Sequence, residues 1–111
     1  VAMLLPARDA TVTLCHSHTV DLAGACSEAD VIVVATGRPN TLRPEHVRPG
    51  QVVVDVGINW DEENQRLVGD VDFEGVAPIV RAITPVPRGV GSVTTAVLAE
   101  HVVRAAERSV R

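Results

Sequence analysis

Two apolar runs constrain the fold of this chain more than any other feature of its sequence. Residues 31–35 are Val-Ile-Val-Val-Ala, and residues 51–56 are Gln-Val-Val-Val-Asp-Val. Continuous β-branched runs of this length are typical of parallel strands that are covered on both faces. We therefore predict two buried strands, and the short helical segments between strands predict right-handed crossovers. The expected class is α/β with a doubly wound parallel sheet.

Periodicity and the positions of Gly and Pro define the other expected elements. Strands are predicted over residues 10–15 and 82–86, helices over 21–29, 73–80 and 92–111, one helical turn over 44–47, and a surface hairpin over 60–66. In the last helix Leu98, Val102 and Ala105 share one face. We expect that face to pack across the sheet.

Small and polar residues follow the apolar segments at three places. These are residues 55–59 (Asp-Val-Gly-Ile-Asn), 69–73 (Gly-Asp-Val-Asp-Phe) and 83–91 (Ile-Thr-Pro-Val-Pro-Arg-Gly-Val-Gly). Ligands of open α/β sheets bind outside the carboxyl ends of the strands, so we predict a small-molecule crevice here. Asp55 lies late in a buried strand and requires hydrogen-bond donors, so we expect it to organise the following loop.

Asp70 and Asp72 are two residues apart and would face the same way on an extended segment, as an acid pair could. Capping of the helix predicted to begin at Phe73 accounts for at least one of them, so we favour a capping role over chemistry.

Composition excludes several classes of protein. The chain has 111 residues, of which 46% are hydrophobic and 22% charged, which suits one globular domain. The net charge is −4 and acids and arginines are interspersed, with no basic patch, so neither nucleic acid nor an acidic membrane surface is an expected partner. No apolar segment reaches the roughly 18 residues that span a bilayer, and two cysteines are too few for a disulfide framework. We expect a cytoplasmic protein.

Lysine and tyrosine are both missing from this chain. All 10 of its Lys and Arg residues are arginine, and its tyrosine count is 0. Schiff-base chemistry and proton transfer through a phenol therefore require groups from outside this sequence.

Gly89 and Gly91 lie directly before the long C-terminal helix, which is predicted to begin at Ser92. Free amides and the helix dipole would favour a carbonyl or phosphate oxygen at this point. In the alternative interpretation Ser92 merely caps the helix. A lone Gly-x-Gly does not decide between the two, and the acidic residue about 20 positions later that completes a dinucleotide fingerprint is missing.

The segment Cys15-His16-Ser17-His18-Thr19 follows the first predicted strand. A metal site is disfavoured, because no further ligand has matching spacing. An NAD site usually has an acidic residue at this strand end for the ribose 2'-hydroxyl, and here none occurs before Asp21. The loop would therefore accept a 2'-phosphate, or it is simply a polar loop that ends a strand.

Several ordered blocks of this sequence resemble one family. They are residues 10–17 (Ala-Thr-Val-Thr-Leu-Cys-His-Ser), 33–39, 55–59, 68–73 and 83–91. Together they are similar to the bifunctional methylenetetrahydrofolate dehydrogenase/methenyltetrahydrofolate cyclohydrolase family, and specifically to its C-terminal NAD(P)-binding domain. Arg88, Ser92 and Val93 depart from the family pattern, which has Gly, Pro and Met at these positions.

The resemblance implies a Rossmann-like domain over residues 1–111 without its first strand and phosphate loop. The implied activity is NADP-dependent oxidation of 5,10-methylenetetrahydrofolate and hydrolysis of the methenyl product to 10-formyltetrahydrofolate. Folate would bind through an N-terminal domain that is absent from this chain. That domain would supply the catalytic Tyr and Lys, so residues 1–111 are expected to contain no catalytic residue. The chain alone is expected to be inactive, and the longer protein to be a homodimer.

The resemblance also implies the residues that contact the cofactor NADP. Ser17 would bind the 2'-phosphate, with Thr19 nearby and His18 where the family often has Arg or Lys. The adenosine and pyrophosphate would be bordered by Thr36, Gly37 and Arg38. The nicotinamide would be bordered by Gly57, Ile58 and Asn59. The cleft between the two domains would be lined by Gly89, Gly91 and Thr94.

Two alternatives to this function stay open. A cofactor-binding fold with an uncovered sheet edge could serve as a non-catalytic interaction or assembly module, because an exposed edge pairs with other chains. A dehydrogenase on the same fold could also act on another substrate, as the departures at Arg88, Ser92 and Val93 suggest.

Overall fold

A computed structural model describes residues 1–110 of the chain. Its helices are α1 (Leu22–Ser27), α2 (Phe73–Val76) and α3 (Val90–Ser109), and its strands are β1 (Val31–Val34), β2 (Val52–Asp55), β3 (Asn59–Asp61), β4 (Arg66–Val68) and β5 (Ala82–Ile83). Single 3-10 turns occupy Leu5–Arg8 and Pro44–His46. The predicted helical turn over residues 44–47 and the predicted hairpin over 60–66 are both confirmed, the hairpin as the antiparallel pair β3 and β4.

The main sheet is parallel and has the strand order β1-β2-β5. Val31 lies beside Val52 in the first pair, and Val52 lies beside Ala82 in the second. The Thr84 amide continues the second pairing with a 3.1 Å hydrogen bond to the Val53 carbonyl oxygen. The predicted parallel α/β sheet is confirmed, although the helix over 73–80 and the strand over 82–86 are shorter than expected.

The core lies on one face of this sheet. Ile32, Val34 and Val53 form a buried cluster with Cys26 from α1 and Val76 from α2. On the other face of β1, Val31 is 55% exposed and Val33 is 40% exposed. The prediction that β1 is covered on both faces is therefore wrong, because α1 and α2 both pack against the Ile32 face.

Residues 10–15, predicted as a strand, are irregular in the structure. The segment makes no ladder hydrogen bonds with any strand in the described part of the chain. An isolated β-branched segment has no backbone partners, and a strand exists only where a neighbour supplies them. The strand predicted over residues 10–15 is therefore wrong.

The longest helix, α3, does not pack across the sheet as predicted. All of residues 91–110 are exposed, including Leu98 at 62% and Val102 at 61%. Glu100 and Arg104 form an ion pair one turn apart on the exposed surface of the helix. Arg111, the last residue of the predicted helix, lies outside the described residues. Within residues 1–110, no helix has both the length and the apolar character needed to cross a membrane.

Candidate functional site

An open cleft of about 430 Å³ lies at the carboxyl ends of β2 and β5. One wall is the loop that follows β2, and the opposite wall is the segment that leads into α3. Two sets of predicted residues line this cleft. Gly57 and Ile58 come from the set expected at the nicotinamide, and Gly89, Gly91 and Thr94 from the set expected between the two domains. The crevice predicted from the strand-end residues is therefore present, with apolar walls that also include Leu67 and Val86.

Asp55 organises the loop after β2, as predicted. Its carboxylate is buried and accepts hydrogen bonds from the amides of Gly57 (3.0 Å), Asp70 (3.0 Å) and Val71 (3.1 Å). The end of β2 is thereby joined to the segment after β4.

Asp70 connects two of the predicted groups of site residues. Its side chain is fully buried, and Oδ2 accepts from the Thr36 amide (2.6 Å), the Thr36 hydroxyl (3.0 Å) and the Gly37 amide (2.8 Å). Oδ1 accepts from Nδ2 of Asn59 at 2.8 Å. One carboxylate therefore holds the loop after β1 and the loop after β2 together.

Capping of α2 falls to Asp72 alone. The Asp72 carboxylate accepts from the Gly75 amide at 3.2 Å, as an N-cap residue does. The prediction that at least one of the two carboxylates caps this helix is therefore confirmed by Asp72, while Asp70 takes no part in the cap. Sequence reasoning missed Asp70 as part of the site, because its donors lie up to 34 positions away along the chain. The one available signal was an acidic residue placed between Gly69 and the apolar Val71.

Neither buried carboxylate has a basic partner. Within residues 1–110 no ion pair involves Asp55 or Asp70. Burial raises the pKa of Asp70, but the hydrogen bonds from Asn59, Thr36 and Gly37 outweigh burial and hold that pKa below its usual value. Asp70 is thus ionised at neutral pH, and its charge is compensated by N–H and O–H donors alone.

The start of α3 has no side-chain cap. Gly89 occupies the N-cap position, and Ser92 donates its own amide to the Gly89 carbonyl oxygen at 3.2 Å. The Ser92 cap considered from the sequence is therefore wrong. The hydroxyls of Thr94 and Thr95 donate back to helix carbonyls, which leaves the amides of the first turn without side-chain acceptors beside the cleft.

Arg88 adopts a backbone conformation that favours glycine. Its φ is 71°, in the left-handed region, at the position where the family pattern has Gly. At the next position a side chain is excluded for another reason, because a Cβ on Gly89 would overlap the Pro85 carbonyl oxygen. The cleft wall therefore retains the glycine-type turn despite the substitution at Arg88.

The turn at residues 16–19 is ordered by its own side chains. The Thr19 hydroxyl accepts from the His16 amide at 2.8 Å, and Nδ1 of His16 accepts from the His18 amide at 3.0 Å. Ser17 and His18 are exposed. None of these residues lines the cleft. Among residues 1–110 there is no group of three or more His, Cys, Asp or Glu side chains arranged to hold a metal ion.

Arg38 is exposed beside the loop that Asp70 anchors. Its amide lies 3.4 Å from the Thr36 hydroxyl, and its carbonyl oxygen accepts from the Thr41 hydroxyl at 2.8 Å. Of the predicted residues, those after β2 and before α3 therefore meet at the cleft, and Thr36 and Gly37 are joined to Asn59 through Asp70. Arg38 and the turn at residues 16–19 do not line the cleft.

Comparison with known proteins agrees with this architecture. Residues 1–110 match the profile described as tetrahydrofolate dehydrogenase/cyclohydrolase, NAD(P)-binding domain. The chain is 56% identical over 107 residues to the bifunctional protein FolD of Carboxydothermus hydrogenoformans, covering 96% of this chain and 37% of that protein. It is 57% identical over 105 residues to FolD of a Parafrankia species, covering 95% of this chain and 38% of that protein.

Solved structures give the same result. A bifunctional FolD enzyme from Campylobacter jejuni has a TM-score of 0.90 and 48% identity, over 96% of this chain and 38% of its own. A Trypanosoma brucei FolD complexed with NADP cofactor and inhibitor has a TM-score of 0.88 and 41% identity, over 99% of this chain and 39% of its own. The chain thus spans under two-fifths of the length of these relatives. It belongs to the tetrahydrofolate dehydrogenase/cyclohydrolase family, in which it corresponds to the NAD(P)-binding domain.

Proposed function

We propose that this chain is the NADP-binding part of a bifunctional enzyme of one-carbon metabolism. The enzyme oxidises 5,10-methylenetetrahydrofolate to the 5,10-methenyl compound and hydrolyses that product to 10-formyltetrahydrofolate. The observation that carries the proposal is the cleft at the carboxyl ends of β2 and β5, where the predicted nicotinamide and interdomain residues meet. Membership of the NAD(P)-binding family and the NADP-bound trypanosomal relative support it.

Open backbone at two glycines supports cofactor binding at the cleft and at the loop after β1. A Cβ on Gly37 or on Gly91 would have no atom within 4 Å, so a ligand can approach the backbone at both positions. We assign the adenosine and pyrophosphate to Thr36, Gly37 and Arg38, and the nicotinamide to Gly57, Ile58 and Asn59. Gly89, Gly91 and Thr94 would face the folate domain.

NADP discrimination is assigned to the turn at residues 16–19. Ser17 would contact the 2'-phosphate, with His18 and Thr19 nearby, and no carboxylate occurs in the turn to repel it. When bound, NADP would accept the hydride, and the residues of this chain would orient the cofactor against the folate.

Proton transfer is assigned to the folate domain. The family resemblance implies a catalytic Tyr and Lys in that domain, and this chain, which has neither residue, cannot supply them. We propose accordingly that residues 1–111 are a partial cofactor domain that is inactive by itself.

Turnover of methylenetetrahydrofolate by the full-length protein, compared with turnover of simple hydroxy acids, tests the substrate assignment. Activity only on the hydroxy acids would overturn it.

Calorimetric titration with NADP and with NAD tests the cofactor assignment. We expect tighter binding of NADP, and we expect Ser17→Ala to weaken NADP binding while NAD binding is unchanged. Equal loss for both cofactors would show that Ser17 does not read the 2'-phosphate. Binding of neither cofactor by the full-length protein would overturn the function and favour an assembly module.

We propose in addition that the full-length protein is a cytoplasmic homodimer, as the family resemblance implies. Sedimentation equilibrium of the purified protein tests the dimer, and a monomer at micromolar concentration would contradict it.

A further inference from the structure

We propose that Asp70 is a positioning residue for the cofactor, a role that rests on the proposed NADP function. Its carboxylate would fix the separation of the loop after β1 from the loop after β2. These two loops carry the residues assigned to opposite parts of the dinucleotide, so their separation sets whether one cofactor can contact both.

The geometry of Asp70 is specific to this role. Oδ2 is occupied by three donors from Thr36 and Gly37, and Oδ1 by the Asn59 amide group. Each oxygen therefore serves a different loop. The Asp70 backbone is also fixed, since its amide donates to Asp55 and its carbonyl oxygen accepts from Thr41.

The surroundings leave Asp70 no other position. Its side chain has no exposed surface, and Gly57 lies so close that a Cβ there would overlap the carboxylate. A buried carboxylate without a cation is costly unless donors surround it, so the loops must adopt the positions that supply those donors.

Asp70→Asn is the direct test, because it keeps the shape and replaces one acceptor oxygen by a donor. If the new amide nitrogen takes the Oδ2 position, it faces the Thr36 and Gly37 amides. If it takes the Oδ1 position, it faces the Asn59 amide group. Either orientation separates Asp70 from one loop.

Asp72→Asn is the matched control in the same segment. Within residues 1–110 the Asp72 carboxylate accepts only from the Gly75 amide of the α2 cap, and Asn caps a helix about as well as Asp, so this change makes the same Asp-to-Asn replacement without touching either cofactor loop. In the full-length protein, at a temperature where circular dichroism shows all variants folded, we expect Asp70→Asn to weaken NADP binding at least tenfold. We expect Asp72→Asn to stay within twofold of the wild type.

Three results separate the possible failures. Wild-type protein that binds no NADP overturns the proposed function itself. If the wild type binds NADP and the folded Asp70→Asn variant binds it with the same Kd, only the positioning role is overturned. If Asp70→Asn does not fold, hydrogen exchange of the wild-type Thr36 and Gly37 amides decides. Protection comparable to that of the β2 amides supports the role, and exchange at unprotected rates overturns it.

Discussion

Gly57 and Gly69 lie against the two buried carboxylates, where a larger residue has no room. A Cβ on Gly57 would overlap Asp70, and a Cβ on Gly69 would overlap Asp55. Neither glycine has a positive φ, so packing rather than backbone conformation requires them. The Asp-Val-Gly-Ile-Asn and Gly-Asp-Val-Asp-Phe segments are therefore complementary halves of one hydrogen-bonded unit.

Gly57→Ala should destabilise the chain by about 2 kcal/mol, because the added methyl group must displace a carboxylate that cannot move without losing its donors. Urea unfolding measures the change. Gly91→Ala is the control, since a Cβ there meets no atom within 4 Å and lies in a helix. That control should be neutral or slightly stabilising. Equal destabilisation of both variants would contradict the packing argument.

Acid should reduce the contribution of Asp70 to stability. Its pKa in the folded state is lowered, so below the unfolded value of about 3.9 the unfolded chain binds more protons than the folded one. The contribution is present above that pH and is lost as the pH falls through the folded pKa. We expect the unfolding free energies of wild type and Asp70→Asn to converge on acidification. Urea unfolding over a pH series measures this, and a constant difference would contradict it.

Helix α1 is specified by local interactions. Asp21 Oδ1 accepts from the Gly24 amide at 2.8 Å, and a Cβ on Gly24 would overlap that carboxylate. The cap and the glycine three residues later thus depend on one another. This explains why the position of α1 was predictable from sequence to within two residues at either end.

Asp21→Ala should cost about 1 kcal/mol, the usual effect of removing an N-cap acceptor. Thermal unfolding measures the loss. Glu28→Ala serves as the control at the other end of α1, because the Glu28 side chain makes no hydrogen bond or ion pair within residues 1–110 and its removal should change stability by less than about 0.5 kcal/mol. A similar effect of both changes would argue against the cap.

Helix α3 shows the opposite behaviour, because its apolar stripe is present but has no contact surface among the described residues. Val102→Ala should change the stability of the 111-residue chain by less than about 0.5 kcal/mol. Val53→Ala, at a position with 0% exposure, should cost about 2 kcal/mol for the same chemical change. Comparable costs by chemical denaturation would show that α3 is packed in solution.

At the scale of the whole molecule, the site is assembled from segments that are distant in sequence. The parallel sheet places the loops after β1 and β2 and the segment that leads into α3 at one edge, because its strand ends all lie there. The antiparallel β3–β4 hairpin returns the segment after β4 to the same edge. Asp55 and Asp70 then fix three of these segments, while the cleft separates the fourth from the loop after β2.

NADP should stabilise the full-length protein by mass action. A concentration of one hundred times Kd raises the free energy of unfolding by about 2.7 kcal/mol if only the folded state binds. We expect a higher melting temperature with NADP than with NAD at equal concentration in scanning calorimetry. A smaller effect of NADP than of NAD would contradict the assigned cofactor preference.

The sequence by itself determined the features that depend on neighbours within a few residues. These include the apolar strands, the caps formed by Asp21 and Asp72, the β3–β4 hairpin and the residues at each strand end, because such preferences are set by local sterics and hydrogen bonds. Only the tertiary structure decided which strand-end residues meet, which face of β1 is covered, and that residues 10–15 stay unpaired. Asp70 shows the physical reason, since its partners are 11 to 34 positions away and no local pattern encodes them.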